Sequence, residues 1–159
     1  MRTPASIAKH PIHPMLVAIP IGLWVFSFVC DLVYAFGGGG EIWRTVAFYN
    51  MVGGVIGALV AAVPGLIDML SLPAGPKQTA LKHMAINLTV VALYVVNIFI
   101  RLGNPENVQL TTWLSFIAIA LLMVSGWLGG KMVFEHGVAV DTGEEPARAP
   151  SRGHERLHT

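Results

Sequence analysis

The chain has 159 residues, 54% of them hydrophobic and 12% charged, with a net charge of +1. Soluble domains carry about 25% charged residues, so a water-soluble globule is excluded: too few polar side chains exist to cover it. Ten Lys and Arg against nine Asp and Glu leave no basic field for nucleic acid, and the single cysteine, Cys30, forbids an internal disulfide and reads as a buried apolar filler.

In chain order, His10 and His13 come first, each followed by proline just before a long apolar run. A residue before proline avoids the α region, and Pro14 suits the first helical position. His13 is therefore expected to cap the first helix. Two geometries stay open from His10 to His13. Polyproline II would hold the rings about 9 Å apart, whereas a β-turn with Pro11 second would bring their Cα atoms within about 7 Å.

The first apolar run extends from about Pro14 to Phe36, where glycines end it. It is longer than the core of a cleaved leader and lacks a small-x-small cleavage site, so it is expected to remain as an anchor. The second runs from about Thr45 to Leu72, up to Pro73-Ala74-Gly75-Pro76. The third covers about Gln78 to Arg101 and the fourth about Leu110 to Phe134. Each meets the roughly 20-residue requirement for crossing a bilayer. Pro20 and Pro64 lie inside spans and are expected to kink them. Beyond Gly137 the composition turns polar, so residues 138–159 are expected to form a disordered tail.

The expected fold is all-α: an integral membrane four-helix antiparallel bundle over residues 1–137, its short connections joining neighbours. Arg2, Lys9, Lys77, Lys82 and Lys131 fall on the side of the termini, and only Arg44 and Arg101 on the other. The positive-inside rule then makes both termini cytoplasmic. Small residues at four-residue spacing (Gly53, Gly57, Ala61, Gly65; Ser125 with Gly129) read as helix-packing strips. No internal repeat is evident.

This topology gathers His10, His13, His83 and His136 at one end, with Asp68 nearby and Glu135 beside His136. Polar side chains at membrane depth are costly and normally face a bundle interior. Asp31 falls nearer the other end, as a structural partner for Arg44 or Arg101.

The segments HPIHPMLVAIPIGL, Asp31 late in the same helix, Pro64-Gly65 with Asp68, LKHMAIN and GWLGGKMVFEHGVAV, in this order, resemble a family of bacterial four-helix membrane proteins known as domain of unknown function twenty-two thirty-one. The resemblance covers about Lys9 to Val140. With both termini cytoplasmic, it implies the bacterial inner membrane, but no established activity. Some members of the family carry a Rieske or cytochrome-type domain beside a similar unit, which implies redox work. By the resemblance, His10, His13, Asp68, His83 and His136 match the family's polar positions.

Two cofactor expectations follow. A b-type haem needs one or two axial imidazoles on facing helices and no covalent cysteine; His83 and His136 are the expected pair, with His13 as substitute. The alternative is a bare zinc, iron or copper ion held by His10, His13, Asp68, His83 and His136. A third reading is a structural subunit for a redox partner. The expected partners are the lipid bilayer and a quinone or redox protein, not nucleic acid. No serine or cysteine is spaced from a histidine as nucleophilic catalysis requires, so an enzyme of that kind is not expected.

Overall fold

The computed structural model describes residues 3–37 and 39–140; the expected polar tail lies outside the described residues from 141 onward. The chain opens with a two-stranded antiparallel ladder, β1 (Ser6–Ile7) and β2 (His10–Pro11), turned by Ala8 and Lys9, both at positive φ. Then come α1 (Ile12–Leu16), α2 (Ala18–Ala35), α3 (Ile42–Leu70), α4 (Ala74–Gly103) and α5 (Val108–Phe134). Helices α1 and α2 act as one span, so four segments of 24 to 30 residues are long and apolar enough to cross a membrane.

The prolines explain where these boundaries differ from expectation. Pro14 is the third residue of α1, where no N–H has an intrahelical partner, so His13 enters the helix rather than capping it. Pro11 is the cap instead. Pro20 offers no N–H to the carbonyl of Leu16, and the helix breaks at Val17. Helix α4 begins at Ala74 rather than Gln78. Pro73 caps it, and Pro76 occupies a first-turn position that needs no donor. Helix α5 begins at Val108, with Asn107 Oδ1 accepting from the Leu110 N–H at 3.3 Å.

Helix α2 packs along α3, and α4 along α5; α2 also meets α5, and α3 meets α4. Helices α2 and α4 thus hold opposite corners, and their inward side chains meet in the middle. There Trp24 stacks on Tyr94, ring centroids 4.6 Å apart and planes within 9°. Met51, Val90 and Ala118 complete this core. Gly54 is required by it, because a methyl group there would overlap the Trp24 indole.

The outward faces are apolar: Phe99, Met123 and Trp127 are 68%, 70% and 78% exposed. Such a surface belongs in lipid. In lipid the burial of hydrocarbon no longer drives helix association, so close packing and interhelical hydrogen bonds must do so. Val138, assigned by composition to the tail, packs against Met69, Leu72 and Ala80 at the end of the bundle.

Candidate functional site

Three layers of side chains lie along the interior. The first is at the end bearing the N-terminal ladder and Val138. The His13 ring crosses to α3, where Nδ1 donates to the Ala61 carbonyl at 2.8 Å. Pro64 has already opened the α3 ladder beside it by withholding an N–H from Val60. The ring rests against Gly65, where a Cβ would come within 2.7 Å of Nδ1.

His83 on α4 is held in the same manner by α5. Its Nδ1 donates to the Ser125 carbonyl at 2.9 Å, with Ser125 Oγ 3.0 Å from the same nitrogen. The two imidazoles adjoin in an edge-on arrangement, centroids 6.4 Å apart and planes perpendicular.

A carbonyl can only accept, so each Nδ1 carries the hydrogen. In the neutral ring Nε2 is then a free lone pair. A metal-binding histidine is commonly oriented in this manner, with its distal nitrogen tied to a backbone carbonyl.

The other expected site residues are engaged elsewhere. His10 is exposed, and its Nδ1 bonds the Ala8 carbonyl at 2.9 Å. His10 and Pro11 are extended, with Pro11 at φ −71° and ψ 126°, but the helix has begun at Ile12, so neither expected geometry runs through to His13, and the two rings have different partners. Asp68 Oδ1 accepts the Ala5 N–H at 2.8 Å and ties the N-terminal segment to the end of α3. Asn87, aligned with His83 by spacing, donates to the His83 carbonyl of its own helix.

His136 lies past the end of α5. It is seven residues beyond Gly129, which corresponds to about 10 Å of helix rise. The structure pairs His83 with His13 instead. Spacing placed all these groups at one end, but their depth along the bundle separates them. Among the described residues no three His, Cys, Asp or Glu side chains are arranged to hold a metal ion, so the five-residue set does not converge.

The second layer is the Trp24–Tyr94 stack. The third is a buried polar network at the opposite end. Arg101 Nη2 donates to both Asp31 oxygens at 2.7 Å, and its Nε donates to Asn97 Oδ1 at 3.0 Å. Ser115 Oγ donates to Asp31 Oδ2 at 3.0 Å. Asn97 Nδ2 donates to the Thr111 carbonyl at 2.8 Å and to Ser115 Oγ at 3.0 Å. Asp31 and Arg101 are only 3% and 9% exposed; burial this deep is tolerable because each charge is met by the other and by fixed dipoles.

Arg44, the other candidate partner of Asp31, instead bonds the Pro105 carbonyl and lies over the Tyr34 ring. Sequence reasoning missed Asn97, Ser115 and the Ala61 and Ser125 carbonyls. The one available signal was Asn97 with Arg101, four apart in an otherwise apolar stretch.

A family model described as a predicted membrane protein (DUF2231) matches residues 9–142. No curated protein and no solved structure matches the chain.

Proposed function

Because the chain belongs to the DUF2231 family of predicted membrane proteins, we propose that its four spans form a membrane-embedded holder for a b-type haem, which the imidazoles of His13 and His83 would hold. The paired rings carry this reading. Two N–metal bonds of about 2 Å, plus about 1 Å from each nitrogen to its ring centre, put two imidazoles on one metal about 6 Å apart. The ring centres here are 6.4 Å apart.

The ligand count favours haem over a bare ion. Haem supplies four ring nitrogens and asks the protein for one or two more, whereas a structural zinc takes four protein ligands and a catalytic one three. Among the described residues two imidazoles adjoin, and no three His, Cys, Asp or Glu side chains are grouped to hold an ion. The Ala61 and Ser125 carbonyls would hold the ring orientations and keep Nε2 available. The bound group would supply a one-electron couple.

The site lies at one end of the bundle. Exchange with a quinone or a redox protein at that face is therefore the economical role, and the excess of Lys and Arg on that side supports a cytoplasmic orientation for it.

Absorption spectra of detergent-purified protein, made with haem and metals supplied, test this reading. We expect a Soret band that sharpens on reduction, lost in His13→Ala and His83→Ala and kept in His136→Ala. Stoichiometric zinc, iron or copper without that band would favour the bare-ion reading. Neither signal would leave a structural subunit.

A further inference from the structure

The interior contacts recur at fixed intervals. His13 meets His83, Trp24 stacks on Tyr94 and Asp31 pairs with Arg101, each pair separated by 70 residues. Ser27 and Asn97 share that interval, and each donates at 2.8 Å to a carbonyl of the following helix, Ala47 and Thr111. Those acceptors are 64 apart, as are Ala61 and Ser125, the acceptors for His13 and His83. Met51 with Ser115, and Gly54 with Ala118, are buried pairs at the same interval of 64.

A residue that touches its own equivalent is the signature of a twofold axis. The first and third spans run in the same direction, so the axis runs along the bundle, as in parallel repeats of other membrane proteins.

From this we infer that the chain is two equivalent helical hairpins about a pseudo-twofold axis, and that Gly65 and Gly129 are positioning residues of two matched histidine seats gripping one ligand from both sides. The ligand's identity rests on the haem reading; the seats do not.

Each seat is a carbonyl with a glycine four residues later, Ala61 with Gly65 and Ser125 with Gly129. Positions four apart share a helix face, so the missing side chain leaves the space where the ring lies. The two seats differ in tightness. A Cβ at Gly65 would stand 2.7 Å from His13 Nδ1, an overlap, whereas at Gly129 it would stand 3.5 Å from His83 Cε1, an ordinary contact. Alanine should therefore unseat His13 but not His83, and leucine should unseat His83. Nothing lies within 4 Å of a Cβ at Gly22 or Gly126, which makes these positions controls.

The test is nitrogen-15 NMR of histidine-labelled full-length protein in detergent without added ligand, signals assigned by His→Gln. Both rings should be Nδ1–H tautomers. Gly65→Ala should move only the His13 signals, Gly129→Leu only those of His83, and Gly129→Ala, Gly22→Ala and Gly126→Ala neither. In haem-loaded protein, Gly65→Ala and Gly129→Leu should give the same five-coordinate spectrum, load roughly 10–100-fold more weakly, and recover six-coordination with external imidazole.

An Nε2–H tautomer at either ring, or unchanged His13 signals in Gly65→Ala, overturns the seats whether or not haem binds. Seats that behave as expected in a protein that never loads haem overturn the ligand alone. Should Gly65→Ala fail to fold, the wild-type tautomers and Gly129→Leu still decide.

Discussion

An imidazole inside a bilayer must satisfy one nitrogen before the other can serve a ligand, and His13 and His83 both use a helix carbonyl for this. The charged groups at the far end obey the same economy. Asp31 and Arg101 neutralise each other, and Asn97 and Ser115 take up remaining donors and acceptors. Removing one member strands a buried charge, which costs about 3–5 kcal/mol. Arg101→Leu should lower unfolding stability in detergent by about that much, and the Asp31→Leu/Arg101→Leu pair by clearly less. Chemical unfolding followed by circular dichroism checks both. The sequence allowed Asp31 either of two arginines, since Arg44 and Arg101 fall at the same end; only packing makes Arg101 the partner. The spacing of Asn97 from Arg101 is a sign of that one contact, but nothing in an apolar run marks its other partners, Thr111 and Ser115. Sequence puts His83 and His136 at the same end because a span count resolves which end a residue occupies, not its depth.

At the scale of elements, proline and glycine act at carbonyls. Pro64 loosens α3 beside the His13 seat, and Pro20 separates α1 from α2 so that the His13 turn can lean toward α3. The N-terminal ladder is fastened by the Ala5 N–H to Asp68 and by the Ile12 N–H to the Ala5 carbonyl. Asp68→Ala leaves a buried backbone donor without this acceptor, a loss of about 1–3 kcal/mol. Hydrogen exchange over residues 3–12 should accelerate in this variant while the spanning helices stay protected; unchanged exchange there would refute the tether. The existence and order of the spans were legible because 20-residue apolar runs have few other uses. The start of α4 was not, since Pro73-Ala74-Gly75-Pro76 reads as a breaker unless the prolines fall at the cap and first turn, where they break nothing.

For the whole molecule, the bundle is a pair of hairpins whose equivalent residues meet on one line. Identity between the halves is slight, and the interval changes from 70 to 64 because the first hairpin has six more residues around its turn, in the helix ends and the loop together, than the second. A linear reading therefore sees no repeat, whereas the cross-axis contacts disclose it. Orientation is testable because the native Cys30 is buried and should not react. Cysteines placed at Lys9 and Glu106, both exposed, should react with a membrane-impermeant maleimide from the cytoplasmic and outer sides respectively. Reaction of both from one side would refute the topology. If the two halves each lend one imidazole to a shared centre, low-temperature electron paramagnetic resonance of ferric, haem-loaded protein should give a low-spin bis-imidazole signal in wild type and in His136→Ala, converted to high-spin in both His13→Ala and His83→Ala. A low-spin signal surviving both of those substitutions would rule out the shared centre.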